Sequence, residues 1–101
     1  MEVFTRRVMD IILRIPPGKI MTYGQVAAVA GNPSGARQVA RILHACSEKY
    51  GLPWHRVINS CFRVSLRDGE QEALLQAEGV LFDSKGRVDP EVYLYLEPYV
   101  L

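Results

Sequence analysis

Two helix stops, Pro16-Pro17-Gly18 and Gly31-Asn32-Pro33, cut the first half of the chain into short pieces. Proline removes a backbone donor and restricts the residue before it, so no long helix runs through either stop. Before the first stop, Val3, Phe4, Val8, Ile11, Ile12 and Ile15 recur at helical spacing, with Arg6, Arg7, Asp10 and Arg14 on the polar side. Between the stops, Thr22 and Gln25 have the spacing of a capping box, and Val26, Ala27, Val29 and Ala30 form the buried stripe of a second helix. After the second stop, Ser34 is expected to N-cap a third helix through roughly Ser47, with Ala36, Val39, Ala40 and Leu43 facing inward. Two short helices joined by a tight Gly-containing turn make a helix-turn-helix candidate.

The pattern changes after Pro53. Val57-Ile58 and Phe62-Arg63-Val64 read as two short strands around Asn59-Ser60. Asp68 and Gln71 are spaced to cap a fourth helix carrying Ala73, Leu74, Leu75 and Ala77, which Gly79 stops. Val80-Leu81-Phe82, the Asp83-Ser84-Lys85-Gly86 turn and Val88 predict a small extended segment. Asp89-Pro90-Glu91 starts a short last helix, because proline suits the first helical position. The expected fold is mostly α with a small β wing, and 101 residues fit one domain, 1–101.

No apolar run approaches the ~20 residues of a membrane span. Met1 to Arg14 mix charged and apolar residues, unlike a secretory signal. Two cysteines, Cys46 and Cys61, make no disulfide framework and point to a reducing cytoplasm. The net charge of +1 hides an asymmetry. Up to Arg67 there are ten Lys and Arg against three Asp and Glu; from Asp68 onward there are two against eight. A basic front of this kind fits a polyanion partner, or ordinary solvated charge.

Arg37 lies in the first turn of the third predicted helix, where a cation faces the positive end of the helix dipole at a cost of ~0.3–1 kcal/mol. In a helix-turn-helix this is the part that enters a DNA groove, and Arg41 and His44 continue the same face. The alternative is a solvated arginine stripe. Tyr23, directly after the cap, is either packed or free to reach a phosphate or base edge. His55 could be a general base, but its neighbours Trp54 and Arg56 offer no nucleophile, so a structural role is the simpler reading. Cys46 and Cys61 read as buried or incidental thiols. Two cysteines and two histidines without paired spacing make no case for a metal, and no cofactor is expected.

Taken together, these residues carry a resemblance. The stretch PWHRV resembles the PCHRV motif of O6-alkylguanine-DNA alkyltransferases, with Trp54 where the reactive cysteine stands. IPPGKIMTYGQVA, GARQVARIL, LPWHRVINS and LLQAEGVLFDSKGRVD are similar to that family's DNA-binding domain, in its order and over nearly the whole chain. A chain with Trp54 here, and without the N-terminal domain common in the transferases, resembles the alkyltransferase-like branch. The resemblance implies a winged helix-turn-helix that approaches the minor groove. It assigns Arg37 to the gap left by a flipped nucleotide, with Ser34, Gly35, Ala36, Tyr23 and Arg41 in the DNA-binding set. It assigns Tyr23, Trp54, Val57 and Arg67 to a lesion pocket: Trp54 and Val57 by backbone carbonyls toward the guanine edge, Arg67 beside the modified edge. His55 and Glu78 match the relay that activates the transferase cysteine, here without that cysteine.

The implied function is binding of O6-alkylguanine in duplex DNA without alkyl transfer. Transfer needs a thiolate within reach of the alkyl carbon, and indole has no comparable anion. Such a binder acts as a monomer, away from membranes, in the cytoplasm, at a bacterial nucleoid or in a eukaryotic nucleus. It flags the lesion for nucleotide-excision repair proteins. Two rivals stand beside it: a winged-helix transcription factor, and an alkyltransferase using Cys46 or Cys61.

Overall fold

The computed structural model describes residues 2–64 and 69–96. The helix stops act where the sequence puts them. Helix α1 runs over Val3–Leu13, and Ile15 beyond its end is buried. Strand β1, Met21–Thr22, leads straight into α2, Tyr23–Val29. The Thr22 hydroxyl accepts the Gln25 N–H at 3.1 Å while the Gln25 side chain accepts the Thr22 N–H at 2.9 Å, completing the predicted capping box.

The third helix, α3, spans Ala36–Tyr50 and begins one residue later than expected. Gly35, not Ser34, is its N-cap. Asn32 takes over the turn: its Oδ1 accepts the Ser34 N–H at 3.3 Å and its carbonyl accepts the Gly35 N–H at 2.9 Å. Gly35 is needed for space, since its φ of −92° suits any residue. A Cβ there would lie 3.0 Å from Phe4 Cζ and 3.1 Å from the Asn32 carbonyl oxygen. Gly35→Ala is therefore expected to destabilise the fold by about 1 kcal/mol through overpacking. An unchanged urea midpoint would show that the Phe4 ring simply yields. The helix also runs past Ser47, to a left-handed Gly51 cap (φ 63°). Its inward face is Val39, Ile42 and Leu43, whereas Ala40, predicted inward, is exposed.

Of the two strands predicted around Asn59-Ser60, Val57–Ile58 forms and residues 62–64 do not. Strand β2, Val57–Ile58, pairs in parallel with β1, Met21 against Val57 and Thr22 against Ile58. All four of these residues are buried, as strands covered on both faces are. The chain after β2 instead folds into a side-chain-held turn. Asn59 Oδ1 accepts the Cys61 and Arg63 N–H groups at 3.0 and 3.1 Å, and Phe62 takes a left-handed φ of 60°. The Phe62 carbonyl then accepts the Val88 N–H, while Arg63 bridges antiparallel to Arg87 and Phe82 to Val88. The wing reading survives as this loose hairpin around residues 83–86.

Helix α4 covers Glu70–Ala77. Gly69 at φ 77° is its N-cap; Asp68, the predicted cap, lies outside the described residues. The Gln71 side chain turns inward. Gly79 at φ 90° follows the helix as predicted. Helix α5, Pro90–Tyr93, starts with Asp89 Oδ1 accepting the Glu91 N–H at 2.9 Å. Two apolar clusters result. One joins α1, α2, α3 and Val57; the other gathers Ile20, Ile58, Leu75, Val80 and Val88. The β1–β2 pair is the seam between them, and it fixes the turn before β2 against the helix-turn-helix.

Candidate nucleic-acid interface

The residues leading into β2 form a 3-10 turn, Trp54–Arg56. This turn and helix α3 are the walls of an open cleft of about 1070 Å³. Tyr23, Ala40, His44, Trp54, His55 and Gln71 are among its lining residues. Trp54 is partly buried, packs against the first cluster and meets the His55 ring edge-on, at 6.1 Å and 85°. The exposure of Ala40 now has a reason: with His44 it is the cleft face of α3.

Behind the cleft wall sits a charge network centred on Glu78. Arg56 donates from Nε at 3.0 Å and from Nη2 at 2.7 Å to the carboxylate, and from Nη1 to the Ile15 carbonyl at 2.8 Å. The Gly18 N–H donates to Glu78 Oε1 at 3.1 Å. His55 Nε2 lies 2.8 Å from Oε2. The Arg56 hydrogen bonds, then those of His55 and Gly18, outweigh burial and hold the Glu78 carboxyl at about 2, well below its usual 4.5. At neutral pH the carboxylate only accepts, so His55 Nε2 carries the proton and donates. Side-chain exposures of 13–16% make this a partly buried cluster that ties α1's end, the Trp54 turn and α4's end together.

His55 and Glu78 are thus brought together as the resemblance implied. Arg56, Gly18 and Gln71 were passed over in the sequence, where Arg56 is a neighbour, Gly18 a stop and Gln71 a cap. The Arg37 and Arg41 side chains are exposed, one turn apart at the start of α3, with no acidic residue in its first turn. Ser34 is exposed beside them, while Gly35 is buried and Ala36 half-buried. Val57 is fully buried and absent from the cleft lining. Its carbonyl accepts Gln71 Nε2 at 2.9 Å, and the Trp54 carbonyl accepts the Val57 N–H. Arg67 lies outside the described residues. Neither Cys46 nor Cys61 is among the described residues lining the cleft; Cys61 borders a separate groove with Phe62 and Leu81.

Residues 3–80 match the family model described as 6-O-methylguanine DNA methyltransferase, DNA binding domain. The chain belongs to this family. Within reach of it, the chain is 42% identical over 93 residues to the DNA base-flipping protein of Escherichia coli K12, covering 89% of this chain and 72% of that protein. It is 44% identical over 85 residues to Alkyltransferase-like protein 1 of Schizosaccharomyces pombe, covering 79% of each. The solved structure of S. pombe Atl1 in complex with damaged DNA containing O6-carboxymethylguanine superposes with a TM-score of 0.79 at 36% identity, over 94% of this chain and 96% of that one. The fold expected from the sequence, a mostly helical domain like the family's DNA-binding domain, is the fold found. Among the described residues, no helix is long and apolar enough to cross a membrane.

Proposed function

We propose that the protein binds O6-alkylguanine in duplex DNA, receives the flipped nucleotide in the Trp54 cleft, and transfers nothing. The observation that carries this reading is Trp54 itself: an indole, not a thiol, stands on the cleft wall beside the His55–Glu78 pair. Alkyl transfer requires a thiolate beside the reacting carbon, and the described cleft lining supplies none. Arg37 stands about one helical turn before Ala40 on α3, exposed. Extruding a base costs a few kcal/mol, least for one that pairs poorly. An O6-alkyl group removes the guanine N1 proton and disturbs its pairing with cytosine, so the lesion is the easier base to extrude. The relatives named for base flipping and the DNA complex of Atl1 support this reading.

In this reading Tyr23 lines the pocket, Arg67 stands beside the modified edge, and Arg37, Arg41, Ser34, Gly35 and Ala36 meet the DNA. One chain carries the whole set, so a monomer suffices. Binding leaves the alkyl group in place, so removal falls to excision: the bound, distorted duplex marks the site for nucleotide-excision repair proteins at the nucleoid or in the nucleus.

The test pairs two duplexes that differ only in guanine or O6-alkylguanine. The protein should bind the modified duplex at least roughly tenfold more tightly, which corresponds to about 1.4 kcal/mol. Its intact mass should be unchanged afterwards. Equal affinities on both duplexes would sink the lesion reading, and a mass gain equal to the alkyl group would restore a transferase.

A further inference from the structure

Gln71 is a buried polar residue, 2% exposed, in the first turn of α4. Its Nε2 donates to the His55 carbonyl at 3.1 Å and to the Val57 carbonyl at 2.9 Å. Both amide hydrogens are therefore spent on main-chain acceptors that straddle Arg56. A primary amide presents its two N–H groups in a fixed planar fork. Held this way, the fork sets the spacing of the backbone across residue 56. The Arg56 side chain leaves toward Glu78 and the Ile15 carbonyl. The turn that carries Trp54 and His55 is thus held twice, by its backbone to α4 and by its side chain to Glu78.

We propose that Gln71 is a positioning residue for the base-receiving cleft, fixing the Trp54–His55 wall from α4 without needing to touch the base. The inference rests on the cleft being that site. The location of Gln71 in the first turn of α4 places its side chain against the turn that carries Trp54, and both of its amide donors go to that other element. Glu78 holds the turn's side chain, and Gln71 holds its main chain. Without Gln71 the His55 and Val57 carbonyls lose their shared donor and the wall can drift relative to α3.

Trp54, the chain's only tryptophan, makes the test direct. Gln71→Met keeps the length and removes both donors; Gln71→Glu keeps the shape and, ionised, turns donors into acceptors. Val80→Ala, at a fully buried site in the second cluster, serves as a control for general loosening. Both Gln71 variants should raise acrylamide quenching of Trp54. They should lower the affinity ratio of O6-alkylguanine duplex to undamaged duplex roughly tenfold, the worth of one or two neutral hydrogen bonds. Affinity for undamaged duplex should hold. Val80→Ala should lower the melting temperature and move neither readout. Wild-type quenching and ratio in the Gln71 variants would make Gln71 a core residue only, and so would equal shifts in Val80→Ala. If the wild type itself shows no lesion preference, the proposed function fails; the Trp54 quenching then decides, and an unchanged value overturns the positioning role.

Discussion

Glu78→Gln is expected to destabilise the protein by about 3 kcal/mol at neutral pH, the equivalent of lowering its carboxyl from 4.5 to about 2. For a domain of this size that is a fall in melting temperature of roughly 10–25 °C. The glutamine keeps the shape but removes the charge from beneath a half-chelated guanidinium. Arg56 is then left largely out of water at 14% side-chain exposure with only a neutral partner. The pH dependence separates this from a packing effect. The folded value lies below the unfolded one, so the stabilisation is present in full above the usual 4.5 and is lost as the pH falls through about 2. The gap between wild type and variant should therefore be widest near neutral pH and close on acidification across that window. Asp83 is also held below its usual range, first by the Arg87 N–H, but both proteins share it and it cancels in the difference. Urea titrations of the two proteins from pH 6 down to pH 2.5 check this. A gap that stays constant over the range would show that the carboxylate's charge contributes nothing.

The features legible in the sequence were those decided within a few residues. Thr22 and Gln25 meet because three residues of helix bring a cap and its reciprocal side chain together, whatever the rest of the chain does. Asp89 and Pro90 start α5 for the same local reason. The β1–β2 pair was hidden because Met21-Thr22 has no alternation and is too short to carry a pattern; only its distant partner defines it. Residues 62–64 look like a strand by composition, yet Asn59 binds two following N–H groups and turns the chain away from β2, so that it meets residues 87–88 in an isolated bridge. The second role of Gln71 was hidden because its spacing from Asp68 suggests only a cap, while the carbonyls that take its Nε2 hydrogens belong to residues 55 and 57. The site divides in the same way. Arg37 was visible as a cation at an unfavourable helix position. The joining of Ile15, Gly18, Arg56 and Glu78 was not, because each contact closes a long loop.

Arg37→Ala should weaken binding to the lesion duplex by ~1–3 kcal/mol, or roughly 5- to 150-fold in affinity, while leaving the fold intact. The side chain is exposed in the first turn of α3, where no acidic residue offsets it. Removing it relieves a dipole penalty of ~0.3–1 kcal/mol, so the melting temperature should hold or rise slightly. On the DNA the same guanidinium has work that alanine cannot do. A flipped nucleotide leaves neighbouring bases unstacked and its partner unpaired, at a few kcal/mol. A planar guanidinium can stack in that space and donate to the orphaned partner, which an ammonium does less well. Arg37→Lys should therefore recover the general attraction to phosphate but only part of the lesion affinity. A fluorescent base analogue at the target position reads extrusion itself: wild type should brighten it, Arg37→Ala should not at matched occupancy, and Arg37→Lys should fall between. If Arg37→Ala binds the modified duplex and brightens the probe as wild type does, the arginine is a surface charge and the gap is filled by another residue of α2 or α3.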